Sequence, residues 1–567
     1  MQLSLFETDE KPEKISIPEA AELASVSIAT IRNWIKTGYL QKTGKNYINR
    51  ASFLVFMQQI AGKEKLISRA NKLHKNTFSD IDDWQNILYQ KTNQDISTTY
   101  ENSLPESHKN KEGIYYTPEW IVRDMLSKVK LTSDQTFLDP CCGTGNFIIQ
   151  AIKAGISPAN VYGYDTDPIA VEITKKRIYE EFGYTSDNII HADFLEVAFH
   201  LIQKKIKFDF VFTNPPWGKK IKKELKEKYA KLYGCGKSTD TTSIFMAASL
   251  PLVKPNQYLG FLIQEAFFNI TTFEDIRNKI LEKRITHIID YNKPFKNIFT
   301  KAHAIIVQNT LCSDHHLIAC QYNNKLFQKQ QQSLKENPKK IFNFWTNESE
   351  NTIIRHLYNI PHITLKNKAI WGMGIVTGNN KKFCSPHPQK DYLPIFRGSD
   401  ISKNNIKTPS LYIKPDFSKF QQVPDLDLYN APEKIIYRFI SPHLCFFYDN
   451  QQRLILNSAN FFIPKDIPIS AKQLTNLLNS DIINWLFKKL FNTHKILRSD
   501  IEELPIHIDY FKHFDNFDEN TFLNYLSIIK EQDGTYNINQ QSEKQKIKIK
   551  FAANDYKQPI KTYHYEL

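Results

Sequence analysis

The chain changes rhythm several times along its length. Between residues 14 and 60 apolar residues recur at helical spacing. Ala20, Ala21, Leu23 and Ala24 follow Pro18, a residue suited to a first helical turn. Ser25-Val26-Ser27 predicts a turn, with Ser27 capping a second helix. That helix places Ile28, Ile31 and Ile35 on one face and Arg32, Asn33 and Lys36 on another, and Gly38 can end it. Leu40 to Ile48, turning at Thr43-Gly44-Lys45-Asn46, predicts a hairpin before a further helix. Residues 61–112 are polar and mostly helical in pattern, and read as a connector with little chemistry. From 113 to about 330, apolar runs alternate with helical patterns. The runs are Phe137-Leu138, Val161 to Tyr164, Ile189-Ile190, Phe208 to Phe212, Leu259 to Ile263, Ile285 to Ile289 and Ala304 to Val307. This alternation predicts a mainly parallel sheet covered by helices. From 340 to 510 the pattern is irregular and aromatic-rich, apart from one amphipathic helix over 473–491. A polar tail occupies 511–567. The expected division is therefore 1–60, 61–112, 113–330, 340–510 and 511–567.

A chain of 567 residues exceeds what one core usually supports, so several domains are expected. The net charge of +14 points to a polyanionic partner, most simply nucleic acid. Seven cysteines with no CxxC pair argue against a disulfide framework and for a reducing compartment. No signal peptide or membrane-length apolar run is visible, so the expected location is the cytoplasm.

The apolar run Phe208 to Phe212 is broken only by Asp209 and stops at Asn214-Pro215-Pro216-Trp217. Neither proline can donate to a sheet ladder, so the strand's last side chains are left at a rim. An amide, a free carbonyl and an indole on a stiff turn can grip a planar heterocycle bearing an amino group. Upstream, Asp139-Pro140-Cys141-Cys142-Gly143-Thr144-Gly145 is a strand end, a glycine turn and a helix start. An acid precedes the glycines, and Ile148 stands where GxGxxG needs its third glycine. A carboxylate there repels pyrophosphate and welcomes an ammonium group, which favours S-adenosylmethionine over a dinucleotide. Asp165 and Asp193 repeat the geometry at the next two strand ends, suited to the ribose hydroxyls and to the cofactor's adenine, with Phe194 packing on that ring. Three acids in register are hard to dismiss as turn residues, although any one of them could be a helix cap. Tyr116 and Thr117 precede a helix at Pro118. Thr117 is expected to cap it, and either residue can cover the cofactor's methionine end.

The ordered set YYTPE, DPCCGTGNF, GYDTDP, ADFL and NPPW resembles the gamma class of amino-group DNA adenine N6-methyltransferases. The segments Gly374–Asn379, Leu393–Ile401, Ile436–Arg438, Leu477–Ser480 and Leu497–Ile501 are similar to the TaqI-type specificity domain. The N-terminal segment resembles excisionase and MerR-type helix-turn-helix domains, whose second helix lies in the major groove. The resemblance implies a Rossmann-like α/β methyltransferase sheet, a small winged helix-turn-helix before it and an α+β target-recognition domain after it. It implies transfer of a methyl group from S-adenosylmethionine to N6 of an adenine flipped out of double-stranded DNA. Asn214 and the Pro215 carbonyl would accept the amino hydrogens. Trp217, where tyrosine or phenylalanine is commoner, and Phe299 would hold the base between them. Asp139, Pro140, Cys141, Cys142, Gly143, Gly145, Asp165, Asp193 and Pro216 would line the cofactor site. Arg32, Asn33, Lys36 and Arg397 would contact DNA. No metal is required, and the cysteines read as packing residues. A type II restriction–modification role, a cognate endonuclease and action as a monomer on DNA are the matching expectations. The competing readings are a regulator with a vestigial catalytic domain, and a methyltransferase acting on RNA, on a protein amide or on cytosine N4.

Overall fold

The computed structural model describes residues 14–24, 28–36, 40–44, 46–60, 93–104, 115–218, 221–295 and 300–539. The chain divides into two units, residues 1–229 with 244–262, and residues 230–243 with 263–567.

In the first unit, β1 (Lys14–Ser16) pairs antiparallel with β2 (Tyr47–Asn49), and helices Ile17–Leu23, Ile28–Lys36 and Arg50–Ile60 complete a small bundle. Pro18 is in the first helical turn as expected, with Ser16 as the N-cap. The expected hairpin forms: Lys42 and Ile48 make an antiparallel bridge, Thr43 N–H donates to the Tyr47 carbonyl at 3.0 Å and Asn49 N–H to the Gln41 carbonyl at 2.8 Å, while the strand at 47–49 also pairs with the segment preceding the first helix. Trp34, Ile31, Phe53 and Phe56 fill this small core. Ser27 and Gly38 lie outside the described residues.

The larger part of this unit is a parallel sheet. Its strands are β3 (Phe137–Asp139), β4 (Val161–Asp165), β5 (Ile189–His191), β6 (Phe208–Thr213) and β7 (Val253–Gln264). Their order is β7-β6-β3-β4-β5, and every neighbouring pair is parallel. All six residues of β6 are buried, as expected for a strand covered on both faces. Asp209, the one acid in that run, accepts from the Thr136 amide and hydroxyl and from Lys254 Nζ at 2.7 Å. Burial disfavours its charge, but these donors hold its carboxyl below the usual range. The chain moves outward from β3 through β4 to β5, then returns to β6 on the other side of β3. A switch point of this kind opens a crevice at the carboxyl ends of the strands.

In the second unit, β8 (Lys283–Asp290), β9 (Ala302–Leu311), β10 (Leu317–Tyr322) and β11 (Lys325–Gln330) lie in the order β11-β10-β8-β9. The pairs β8–β9 and β10–β11 are antiparallel and β8–β10 is parallel, so the expectation of a mainly parallel sheet holds for the first unit only. The irregular 340–510 region resolves into two four-stranded sheets of mostly short strands, several of only two to five residues, which explains why no periodicity was visible. The single helix expected over 473–491 is two helices, Ala471–Leu478 and Asp481–Phe491. They break because Asn479 turns its amide onto the Phe446 backbone, accepting from its N–H at 2.9 Å and donating to its carbonyl at 2.8 Å. Ser480 then caps the second helix. The expected tail carries secondary structure over its described residues 511–539. Helix Glu519–Leu526 and a hairpin of Ile528–Lys530 with Tyr536–Ile538 share a core with Leu477, Ile482 and Leu486. Among the described residues no helix is long and apolar enough to cross a membrane.

One buried ion pair stiffens this unit. Lys434 Nζ and Asp449 Oδ2 are 2.8 Å apart, both side chains are fully buried, and Arg453 reaches Asp449 at 2.6 Å. Burial opposes the Asp449 charge, yet the two cations keep its carboxyl below the usual range. Removing one partner strands a charge in a dry interior. Asp449→Ala is therefore expected to destabilise this unit by about 3–5 kcal/mol. The check is the urea midpoint, which should fall clearly for Asp449→Ala and much less for a double variant replacing both charges with apolar residues.

Candidate active site

The crevice at the switch point is a cavity of about 630 Å³, and it gathers most of the residues singled out from the sequence. Tyr116, Thr117, Asp139, Pro140, Cys141, Cys142, Gly143, Asp165, Asp193, Phe194, Asn214 and Pro216 all line it.

Asp139 ends β3 and is fully buried. Its Oδ1 accepts from the Thr213 hydroxyl at 2.6 Å and the Cys141 amide at 3.1 Å. Burial dominates these bonds and pushes its carboxyl up to about 7. The glycine turn follows. Gly143 and Gly145 have φ of +51° and +87°, which side-chain-bearing residues rarely adopt. A Cβ at Gly145 would also sit 2.7 Å from Thr174 Cγ2. The Tyr116 ring lies against Gly143, 3.2 Å from where a Cβ would be. Behind the turn, buried Arg177 donates to the Thr144 carbonyl at 2.6 Å and to Asn146 Oδ1 at 2.8 Å. Asn146 in turn donates to the Thr117 carbonyl at 2.9 Å. Thr117 is thus fixed through its backbone. The expectation that it caps the next helix is corrected: Pro118 occupies the N-cap position of Glu119–Leu126.

Asp165 ends β4 and bridges two amides, Gly143 N–H at 2.8 Å and Asp167 N–H at 2.9 Å. Asp193 follows β5 and caps helix Phe194–Gln203 through Oδ1 to the Leu195 amide at 2.9 Å. The capping role and a place in the cavity wall coexist in this one residue. Phe194 is buried and stacks on Phe245 with ring centroids 5.7 Å apart. Burial raises the Cys141 and Cys142 thiols well above their ordinary pKa, so neither is a thiolate nucleophile.

Asn214 is the first residue beyond β6. Its Nδ2 donates to the Tyr115 carbonyl at 2.7 Å. Its Oδ1 is buried and has no hydrogen-bond partner among the described residues. A buried, unpaired acceptor costs free energy unless a ligand supplies the donor.

Trp217 corrects an expectation. It is not in the cavity lining but packed inside, with Nε1 donating to the Leu262 carbonyl at 3.3 Å and the ring 5.7 Å from that of Tyr115. Packing of an indole this large against β7 turns it away from the open side. Pro215 is buried as well. Phe299 lies outside the described residues. Arg32 is exposed on its helix, while the side chains of Asn33 and Lys36 are outside the described set. Arg397 belongs to the other unit, is partly exposed and donates to Ser410 Oγ at 2.7 Å. Among the described residues no group of three or more His, Cys, Asp or Glu side chains could hold a metal. Sequence reasoning missed Tyr100 and Arg177 altogether. Tyr100 sits in a polar helix with no motif beside it, and Arg177 looks like any other charge on the helix Pro168–Phe182.

A parallel switch-point sheet, a glycine turn and acids at three strand ends define an S-adenosylmethionine-dependent methyltransferase. The residues fit that cofactor: a buried acid for its ammonium group, Asp165 for the ribose, and Asp193 beside an aromatic wall for the adenine. Residues 91–368 match the N-6 DNA Methylase family model, and residues 393–506 match the TaqI-like C-terminal specificity domain. Type II methyltransferase M.VspI of Vibrio sp. (strain 343) is 44% identical over 408 residues, which span 71% of this chain and 99% of that protein. The chain belongs to the N-6 DNA methylase family. Modification methylase CviBIII of Paramecium bursaria Chlorella virus NC1A is 26% identical over 221 residues, 38% of this chain and 54% of that one. In fold, the chain is similar to the protein of a DrdV–DNA complex determined by cryoEM. The TM-score is 0.50 at 12% identity, covering 81% of this chain and 62% of that one.

With Asp139 as the partner of the cofactor's ammonium group, cofactor binding is expected to depend on pH. Its carboxyl titrates near 7 in the free enzyme because burial favours the neutral form. A bound ammonium needs the ionised form, so acidification must weaken binding. Affinity for S-adenosylhomocysteine is expected to fall about tenfold from pH 8 to pH 6. Calorimetry across that range checks this, and Asp139→Asn should bind weakly with a flat profile.

Proposed function

We propose that this chain methylates N6 of adenine in double-stranded DNA, as the modification enzyme of a type II restriction–modification system. The observation that carries the reading is the buried, unpaired Asn214 Oδ1 on a residue that lines the cavity, the amide's other end being taken by the Tyr115 carbonyl. An exocyclic amine is the donor this acceptor lacks. Adenine's amino nitrogen is a poor nucleophile because its lone pair is delocalised into the ring. Accepting its hydrogens on Asn214 Oδ1 and on the Pro215 carbonyl biases the nitrogen toward tetrahedral geometry and frees the lone pair. S-adenosylmethionine supplies an already activated methyl group, so the chain's own contribution is position and electrostatics. Asp139, Asp165 and Asp193 hold the cofactor, with Tyr116, Thr117, Gly143 and Phe194 shaping its walls; Gly145 is not in the lining and serves the turn at its positive φ.

The target base must leave the duplex to reach this cavity. Phe299 is the ring proposed to stack on it. Arg397, in the segment matching the specificity domain, is proposed to contact DNA. Arg32, Asn33 and Lys36 are proposed to do so from the helix-turn-helix, which lies ahead of both family matches. The proposal places the enzyme in the cytoplasm, acting as a monomer on DNA, with a cognate endonuclease as its counterpart. The name Type II methyltransferase borne by the Vibrio relative supports the restriction–modification role.

Methylome sequencing of DNA from cells expressing the chain should show N6-methyladenine in one sequence motif. N4-methylcytosine, or an unmodified methylome, would overturn the reading. Asn214→Ala is expected to lower turnover by at least about a thousandfold, as for loss of an essential oriented acceptor, while duplex binding in a gel-shift assay stays within a few-fold.

A further inference from the structure

Helix Asn93–Ser103 reaches the cofactor cavity with side chains that the established chemistry leaves unused. Tyr100 is buried and lines the cavity, and its phenol donates to Asp167 Oδ2. Asp167 is pinned from two further sides. Its Oδ1 caps the helix Pro168–Phe182 by accepting from the Ile169 amide at 3.0 Å, and its own amide donates to Asp165 Oδ1 at 2.9 Å. Tyr100 therefore grips the turn that presents Asp165.

The same helix also holds the glycine turn. Ser97 Oγ donates to Thr144 Oγ1 at 2.8 Å, Thr144 Oγ1 donates to Glu101 Oε1 at 3.1 Å, and the same Glu101 oxygen lies 3.1 Å from Ser97 Oγ, closing a three-membered hydroxyl–carboxylate cluster. Thr144 lies between Gly143 and Gly145, the residues that let backbone approach the cofactor. One helix thus clamps the two turns that follow β3 and β4. Its apolar face, Ile96 with Ala170 and Ile173, would suffice to dock it on the neighbouring helix. The added polar contacts are directional, and burying hydroxyls and carboxylates has a cost unless they are satisfied. They are satisfied here by the very turns that must be held still.

We propose that helix Asn93–Ser103 is a wall of the S-adenosylmethionine site and that Tyr100 is its positioning residue. The Tyr100 phenol fixes the Asp165–Asp167 turn so that Asp165 faces the ribose hydroxyls, and its ring closes that side of the cavity. The phenol acts purely as a donor, because burial and the neighbouring Asp167 raise its pKa. This corrects the expectation that residues 61–112 are a connector with little chemistry. It depends only on the cofactor and is independent of which base is methylated.

The test is calorimetric binding of S-adenosylhomocysteine to the full chain, compared with Tyr100→Phe, which keeps the ring and removes the hydrogen bond. Affinity should fall about tenfold, the scale of one charge-assisted hydrogen bond. KM for S-adenosylmethionine should rise in parallel, while kcat at saturating cofactor and duplex affinity by fluorescence anisotropy stay within about twofold. Tyr100→Ala should weaken the cofactor further, because the wall is lost as well. Unchanged S-adenosylhomocysteine affinity in Tyr100→Phe overturns the proposal. So does a loss shared equally by duplex binding, since that would mark a general defect in folding.

Discussion

The bond from Asn214 Nδ2 to the Tyr115 carbonyl fixes which end of that amide is left without a partner. An amide side chain is ambivalent, with a donor end and an acceptor end, and rotation exchanges them. Occupying the donor end leaves an acceptor and nothing else facing the substrate. A base that offers only an acceptor at that position is refused by leaving two acceptors face to face. The strand β6 aims the side chain, the two prolines keep the turn stiff, and a carbonyl nearly a hundred residues upstream in sequence sets its polarity. In the proposed function, selection of an amine begins there.

The cofactor side works by a different balance. Three acids face one cavity, and each is held by backbone amides, so the set stays compact without a cation present. Asp139 is the most deeply buried, and its preference for the neutral form measures how poorly water reaches it. A cationic ligand replaces the missing water. The glycine turn contributes space and close backbone approach, and Arg177 braces it from behind through a carbonyl and an amide.

Much of this was legible from residues alone. The strand at 208–213 announced itself by a continuous apolar run, and its end by two prolines. The acids at 139, 165 and 193 declared themselves by recurring after successive runs. What stayed hidden had physical reasons. Trp217 carries no mark distinguishing a ring that packs inward from one that faces the open side. Asn479 breaks a helix by bonding to a strand thirty-three residues away, which no local periodicity records. The strands of the specificity region are often too short to alternate visibly. Tyr100 sits in a polar helix whose importance arises only when it meets Asp167 across the fold. Local pattern predicts local structure, and each of these features is decided by a distant partner.

Thr213 has one more consequence. Its hydroxyl holds Asp139 at 2.6 Å, and the next residue along the chain is Asn214. The group that restrains Asp139 and the group proposed to receive the base are therefore adjacent on one strand end. Such a link is thermodynamically reciprocal: whatever bound cofactor does to the affinity for the base, the bound base must do equally to the affinity for the cofactor. Coupling of this kind at Thr213 would make the two binding steps read each other.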